Sequence, residues 1–289
     1  MLVTLKEILD GANAAGRAVP AFDALEHTSA EAVVRAAEAQ KRPVIVMVPQ
    51  TAFPLVDTAS FFPFLVWLAK RTAVPVALQL DHGKDLEAIQ TAIDGGFTSV
   101  MIDGSALPLE ENIALTKRVV ALARAAGASV EAEIGHVAGG EGSFDGSAVD
   151  ESMYTDPAEA ERFVRETGVD ALAVAVGTVH GVYKGTPKLD FERLREIKRR
   201  VRLPLVLHGG SGVSDGEFAR AIEGGVNKVN LFTEISMAAL RKSIECANER
   251  ELKLHFAEML LEGKRAVYDI AVSYFEKFGI CGQHKGETM

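Results

Sequence analysis

The sequence predicts an α/β fold: a closed TIM barrel, (β/α)₈, in which eight parallel strands are each followed by a helix. Two observations predict it. Short, apolar, β-branched segments recur eight times along the 289 residues, and segments with helical periodicity lie between them. A doubly wound open sheet stays the alternative, because alternation does not prove closure. No linker or low-complexity segment divides the chain, so we expect one barrel domain over residues 1–289 with a C-terminal helical extension.

The predicted strands are almost continuously apolar, as in VALQL (76–80) and LAVAV (172–176). Such segments are typical of parallel strands that are buried on both faces. An amphipathic helix over residues 1–16 precedes the first strand. The predicted strands are Ala18–Phe22, Pro43–Val48, Val74–Leu80, Thr98–Ile102, Ser129–Glu133, Ala171–Val176, Pro204–Leu207 and Lys228–Leu231.

Helical periods separate these strands, and several of them end at glycine, the residue that most often follows a helix. The chain after Thr233 is also predicted to be helical. The Gly- and Ser-rich stretch Ala138–Asp150 predicts a long loop after the fifth strand, of the kind that often covers an active site. The predicted helices are Ala30–Gln40, Leu86–Gly95, Glu110–Ala126, Pro157–Thr167, Phe191–Arg200 and Asp215–Gly224.

Composition limits the possible partners. The formal net charge is −9, and the acidic and basic residues are interspersed. We therefore expect no nucleic-acid and no membrane partner, and a small anionic substrate needs a local positive site. The two cysteines lack CxxC spacing and are predicted to be reduced thiols. Without a signal peptide or a long apolar segment, the expected location is cytoplasmic.

Chemically reactive residues cluster where the predicted strands end. In an α/β barrel the carboxyl ends of the strands form one rim, and the active site lies there. Three of the seven histidines fall at this rim. In chain order, the rim residues are Asp81, His82, Asp103, Glu133, His180, His208, Asn230 and Thr233.

Three neutral imidazoles that converge from three strands can bind a catalytic zinc ion and leave one position open for substrate. Iron or manganese accepts the same types of ligand. Glu133 and Asp103 are candidates for supporting the histidines or for a second cation position. Singly, His82 is compatible with a helix cap and His180 with a surface loop, so the prediction depends on the three histidines together.

Two glycine-rich segments follow these histidines. In His208–Gly212 (HGGSG), glycines after a strand let backbone N–H groups approach an anion, although glycine also serves a tight turn. In His180–Gly185 (HGVYKG), Lys184 is a candidate substrate-binding residue, with a solvated surface charge as the alternative. Together the segments predict a phosphate site beside the metal.

Six segments resemble the zinc-dependent class II fructose-bisphosphate and tagatose-bisphosphate aldolases. They occur in the family's order, and the resemblance covers nearly the whole chain. The segments are LQLDHG (78–83), GFTSVMIDGSALPLEENIALTK (96–117), SVEAEIG (129–135), YTDPAEAERFV (154–164), TGVDALAVAVGTVHGVYKGTPKLDF (167–191) and PLVLHGGSGV (204–213). The resemblance implies reversible aldol cleavage of a ketose 1-phosphate or 1,6-bisphosphate to dihydroxyacetone phosphate and an aldehyde.

The resemblance also implies roles for individual residues. His82, His180 and His208 match the zinc ligands, and Glu133 and Asp103 match residues near an alternative metal position. Asp81 matches the acid/base at the C4 hydroxyl, and Glu141 the carboxylate that handles the C3 proton. The residues that match the dihydroxyacetone phosphate pocket are Gly181, Gly209, Gly210, Ser211, Asn230 and Thr233. Members bind a monovalent cation (Na⁺ or K⁺) and form homodimers or homotetramers, which we expect here too.

Several positions depart from the family pattern around the aldehyde half of the substrate. These positions are Asp23, Glu26, Pro49–Thr51, Phe232 and Phe256–Glu258, the last where an arginine commonly holds the distal phosphate. One hypothesis is an acceptor that lacks the distal phosphate; the alternative is that Lys264 or Arg265 holds it. Two other functions stay open, a non-catalytic sugar-phosphate-binding barrel and a barrel metallohydrolase. The second is disfavoured because the first strand ends in Phe22-Asp23 and offers no paired histidines.

Overall fold

The computed structural model describes residues 1–139, 151–181, 183 and 188–281. Eight parallel strands form a closed barrel in chain order, which confirms the predicted fold class and excludes the open sheet. The strands are β1 (Val19–Asp23), β2 (Val44–Pro49), β3 (Val76–Gly83), β4 (Ser99–Ile102), β5 (Ser129–Ile134), β6 (Ala171–Val174), β7 (Leu205–Leu207) and β8 (Val226–Leu231).

Helices surround the barrel, and most begin at a polar capping residue. For example, the Glu26 side chain accepts hydrogen bonds from the Thr28 and Ser29 amides, so the second helix begins three residues before the predicted Ala30. The helices are α1 (Leu5–Ala15), α2 (His27–Gln40), α3 (Thr58–Arg71), α4 (Leu86–Asp94), α5 (Leu109–Ala125), α6 (Pro157–Thr167), α7 (Phe191–Val201), α8 (Asp215–Glu223), α9 (Thr233–Glu249) and α10 (Phe256–Cys281). None of the helices in the described part of the chain is long and apolar enough to cross a membrane.

Helix α1 closes the amino-terminal end of the barrel. Leu5 and Leu9 are fully buried in a cluster with inward-facing strand residues such as Ile45 and Ala173. The Leu5 amide also donates to the Ser99 hydroxyl, 2.8 Å away. Because this end is closed, the open rim at the carboxyl ends of the strands is where a substrate can enter.

Helix α10 packs along the outside of the barrel against α2 and α9. Its aromatic residues Tyr274 and Phe275 each lie 6.2 Å, centroid to centroid, from the ring of Phe22 on β1. The C-terminal extension therefore supports the side of the barrel near β1, next to the rim.

Strand β3 is irregular where it reaches the rim. Its register against β4 shifts between Leu80 and Gly83, and His82 has a φ of 43°, a left-handed value that non-glycine residues rarely adopt. In a regular strand Asp81 and His82 would face opposite sides. The irregularity turns both side chains into the same site, where His82 Nε2 lies 3.9 Å from Asp81 Oδ2.

Candidate metal centre and active site

Three histidines meet at the rim of the barrel. His82 comes from β3, His180 from the segment after β6, and His208 directly follows β7. The ring of His82 lies 4.5 Å from that of His208 and 4.9 Å from that of His180, centroid to centroid. One nitrogen of each ring lies within 4.8 Å of the corresponding nitrogens of the other two. The structure thus brings the three predicted ligands together.

Each ring is fixed by a hydrogen bond from the nitrogen that faces away from the cluster. His82 Nδ1 donates to Asp103 Oδ2 (2.9 Å), and His208 Nε2 donates to Glu131 Oε1 (3.0 Å). His180 is hydrogen-bonded to the backbone of Gly139. Its Nε2 and the Nδ1 of His208 are buried and have no hydrogen-bond partner among the residues that the structure describes. Carboxylate or carbonyl partners on the outer nitrogens are the arrangement found in protein metal sites, so the residues present fit a metal ion.

Electrostatics distinguishes the histidines. Burial lowers the pKa of His82, but the carboxylates of Asp81 and Asp103 raise it to about 9. The pKa of His180 lies well below its usual value because of burial and of the neighbouring imidazoles. The pKa of Asp103 is lowered, since hydrogen bonds from His82 and Lys84 outweigh its burial. The ionised carboxylate of Asp103 therefore places negative charge at the edge of the three histidines, which favours a bound cation.

Two further carboxylates adjoin the histidines. Asp103 and Glu133, with His82, place ligand atoms within 4.8 Å of one another. Glu133 Oε2 lies 3.5 Å from His208 Nδ1. Burial, followed by the charge of Asp103, raises the pKa of Glu133. Asp103 and Glu133 are thus close enough to the histidines for either of the predicted roles, support of the histidines or a second cation position.

A buried ion pair that lies next to His208 was not predicted from the sequence. Lys228 Nζ lies 2.7 Å from Glu131 Oε2, and both residues are fully buried inside the barrel. Although burial opposes it, the charges of Lys228 and His208 lower the pKa of Glu131 to about 2. Glu131 is therefore an anion that accepts from His208. The signal was present in the sequence as charged residues in two apolar strands, at Glu131 in SVEAEI and Lys228 in VNKVNL.

Replacing Lys228 with methionine is expected to reduce the free energy of unfolding by about 3–5 kcal/mol, because the Glu131 charge stays buried without its partner. Equilibrium unfolding in urea measures this change. The double variant Lys228→Met with Glu131→Gln removes both charges and keeps an acceptor for His208. It is expected to recover most of the loss, and a double variant as unstable as the single one would contradict the assignment.

Asp81 is held next to the cluster. Its Oδ1 accepts a hydrogen bond from Asn230 Nδ2 (3.0 Å) on β8, and the side chain is almost fully buried. Asp81 and Asn230 both line an open cavity of about 320 Å³ at the rim. A carboxylate that faces a cavity beside three clustered histidines is placed to exchange a proton with a bound substrate.

The glycine-rich segment lines one side of this cavity, together with Gly181 and Thr233. Gly209 has a φ of 66°, and a Cβ atom there would lie 2.1 Å from the Val179 carbonyl oxygen, so only glycine fits. The Ser211 amide has no hydrogen-bond acceptor within the described residues, and α9 begins at Thr233. An unpaired N–H group and a helix N-terminus together favour an anion. The predicted substrate residues Gly181, Gly209, Gly210, Ser211, Asn230 and Thr233 all line the cavity.

Two predicted residues, Glu141 and Lys184, lie outside the described residues. A residue that the prediction missed, Tyr183, does contact the glycine-rich segment. Its hydroxyl donates to the Gly209 carbonyl (2.7 Å) and accepts from the Val179 amide (3.3 Å). Tyr183 thus joins the segment after β6 to the segment after β7.

Comparison with known proteins identifies the family. The family model for class II fructose-bisphosphate aldolase matches residues 3–283. The chain belongs to this class II aldolase family. It is therefore an aldolase, a carbon–carbon lyase of carbohydrate metabolism, from a family that is metal-dependent in general.

Individual relatives agree with this assignment. The chain is 40% identical to the 6-phospho-5-dehydro-2-deoxy-D-gluconate aldolase of Halalkalibacterium halodurans, over 98% of both chains. It is 38% identical to the fructose-bisphosphate aldolase of Geobacillus stearothermophilus, again over 98% of both. Among solved structures, the YdjI aldolase of Escherichia coli K12 matches with a TM-score of 0.86 and 34% identity, over 96% of this chain and 98% of that one.

The positions predicted to depart from the family pattern fall into two groups. Asp23, Pro49, Thr51 and Phe232 line the cavity. The others lie outside its lining: Glu26 caps α2, and the Glu258 side chain accepts from the His255 amide and Arg250.

The two cations considered as replacements for the missing arginine also lie elsewhere. Lys264 pairs with Glu31, and Arg265 pairs with Glu262. Both line a separate cavity with Ala32 and Tyr268. Neither Lys264 nor Arg265 lines the rim cavity of its own chain.

Proposed function

We propose that the protein is a zinc-dependent ketose-phosphate aldolase that reversibly cleaves a ketose 1-phosphate or 1,6-bisphosphate to dihydroxyacetone phosphate and an aldehyde. The observation that carries the proposal is the meeting of three imidazoles, each with one nitrogen within 4.8 Å of a nitrogen of the other two, beside the buried carboxylate of Asp81. A binding protein needs no carboxylate at that place, whereas C–C bond cleavage needs one.

His82, His180 and His208 would hold Zn²⁺, with Asp103 and Glu131 fixing two of the rings. A bound Zn²⁺ acts as a Lewis acid that stabilises the negative charge developed at C2 and C3 of the ketose during cleavage. The two carboxylates accept from the outer N–H groups of His82 and His208, which keeps the inner lone pairs of these rings available to the metal.

Asp81 acts at the bond that breaks. As C3–C4 cleaves, the electron pair stays with C3, and the C4 hydroxyl loses its proton as C4 becomes the aldehyde carbon. Asp81 accepts that proton, since it faces the cavity and Asn230 Nδ2 holds its other oxygen. The family resemblance assigns the next step to Glu141, which returns a proton to C3 to give dihydroxyacetone phosphate. In the synthetic direction both transfers reverse.

The glycine-rich segment binds the C1 phosphate in this scheme. The Ser211 amide and the start of α9 supply donors and positive potential. Tyr183 keeps Gly209 in place through its hydroxyl. A cation near this phosphate (Na⁺ or K⁺), a homodimer or homotetramer, and a cytoplasmic location stay predictions.

Hydrogen exchange into dihydroxyacetone phosphate tests the proposal without an acceptor aldehyde. The zinc-loaded protein in D₂O is expected to replace one C3 hydrogen of dihydroxyacetone phosphate with deuterium, which ¹H NMR detects as loss of that signal. Removal of zinc by a chelator should stop the exchange. Binding without exchange would contradict the proposal and favour a non-catalytic sugar-phosphate-binding barrel.

A further inference from the structure

The cavity has a second side, formed by the segments that follow β1 and β2. We call it the acceptor side, and its residues are Asp23, Leu25, Pro49, Thr51, Ala52 and Leu55. Pro49 is paired with Asp81 in the register of β2 against β3. Under the proposed function Asp81 takes the proton of the C4 hydroxyl, and C4 belongs to the aldehyde half. The aldehyde half therefore lies on this side.

The polar group buried on the acceptor side is a carboxyl group. Asp23, the last residue of β1, is 7% exposed, and its Oδ1 has no hydrogen-bond partner in the described part of the chain. A buried acceptor left unpaired is costly unless a ligand supplies a donor. A carboxyl group exchanges hydrogen bonds with a hydroxyl in either protonation state, but it offers a phosphate no positive charge.

No lysine or arginine lines this cavity within the described residues. Lys84, the nearest lysine in sequence to the cluster, pairs with Asp103. Residues 140–150, outside the described part, contain three acidic residues and no lysine or arginine in the sequence. Lys184, also outside it, follows Tyr183, which contacts the glycine-rich segment and does not line the acceptor side. Phosphate sites in proteins rely on cationic side chains or on rows of backbone N–H groups. The acceptor side instead combines the carboxyl group of Asp23 and the hydroxyl of Thr51 with apolar side chains, and none of its side chains is cationic.

We propose that the acceptor side binds a hydroxylated aldehyde without a phosphate group, and that Asp23 selects it by hydrogen bonding to one of its hydroxyls. This inference rests on the proposed function and deepens it, since it names the class of the aldehyde half. The preferred ketose is then a 1-phosphate with free hydroxyls at its distal end.

The test compares kcat/KM for fructose 1-phosphate and fructose 1,6-bisphosphate, read as released dihydroxyacetone phosphate. The zinc-loaded protein is expected to favour the monophosphate by roughly tenfold or more. Asp23→Asn is close in shape to the native residue and is expected to shift this ratio toward the bisphosphate by roughly tenfold. Circular dichroism verifies that the variant is folded.

A gain-of-charge variant supplies an independent measurement. Thr51 is exposed at the acceptor side, so Thr51→Lys adds a cation without disturbing the core and is expected to raise kcat/KM for the bisphosphate alone. Asp94→Asn serves as the matched control, because Asp94 is exposed at the end of α4 and lies outside the cavity lining, and it should leave the ratio unchanged.

A wild-type preference for the bisphosphate, or a ratio that neither Asp23→Asn nor Thr51→Lys changes, would overturn the inference. Its failure is distinguishable from failure of the proposed function. A protein that exchanges the C3 hydrogen of dihydroxyacetone phosphate but prefers the bisphosphate is still an aldolase, whereas one that does not exchange it fails both.

Discussion

Replacing Asp81 with asparagine is expected to lower kcat for aldol cleavage by roughly a hundredfold to ten-thousandfold, the contribution typical of a positioned acid/base. Asparagine keeps an oxygen that can accept from Asn230 Nδ2, so the local structure should persist. It cannot take the C4 proton. Steady-state kinetics measures the loss, and zinc content and binding of dihydroxyacetone phosphate, measured by calorimetry, should stay near the wild-type values.

The matched control for this variant is Asp94→Asn, which changes an exposed carboxylate at the end of α4. It should retain wild-type kcat. If Asp81→Asn lost zinc together with activity, Asp81 would be a residue that supports the metal, and its assignment as the C4 acid/base would be wrong.

Replacing His180 with alanine is expected to weaken zinc binding by more than about a hundredfold, beyond the 10–100-fold typical of residues that only support a ligand. The loss of Lewis-acid stabilisation, worth several kcal/mol, should lower kcat/KM by roughly a thousandfold or more. His180 is the least buried of the three proposed ligands, so its loss should perturb the barrel least. Competition with a chromophoric chelator measures the affinity.

His27→Ala is the control for histidine removal. His27 begins α2 and packs on Phe64, with the ring centroids 4.3 Å apart, and it does not belong to the cluster of three histidines at the rim. We expect this variant to keep wild-type zinc affinity and turnover. Unchanged zinc affinity in His180→Ala would show that His180 is not a ligand.

The fold and the grouping of the histidines could be predicted from sequence for a simple reason. Apolar periodicity determines which segments become strands, and barrel closure then brings the carboxyl ends of all strands to one rim. His82, His180 and His208 were therefore expected to lie near one another although more than 120 residues separate the first from the last.

Local geometry could not be predicted in the same way. The alternation of side chains along a strand places Asp81 and His82 on opposite faces, and only the irregular register of β3 and the left-handed backbone of His82 bring them together. No periodicity in the sequence indicates such an irregularity.

The sequence also does not predict which nitrogen of each imidazole faces the other two histidines. That orientation depends on which carboxylate reaches each imidazole, and the partner of His208 is Glu131, 77 residues away on another strand. Asp23 likewise was visible as a departure from the family pattern, but its unpaired oxygen emerged only from the packed barrel.

The metal dependence of aldol cleavage tests the proposed zinc-dependent aldolase activity most directly. The protein is stripped with a chelator, dialysed and titrated with Zn²⁺, and dihydroxyacetone phosphate released from a panel of ketose 1-phosphates and 1,6-bisphosphates is measured at each step. We predict no release from the stripped protein and full recovery at about one Zn²⁺ per chain, as expected for one three-histidine site. The proposed activity would be contradicted if release persisted without metal. It would also be contradicted if the folded, zinc-loaded protein released dihydroxyacetone phosphate from none of the ketoses.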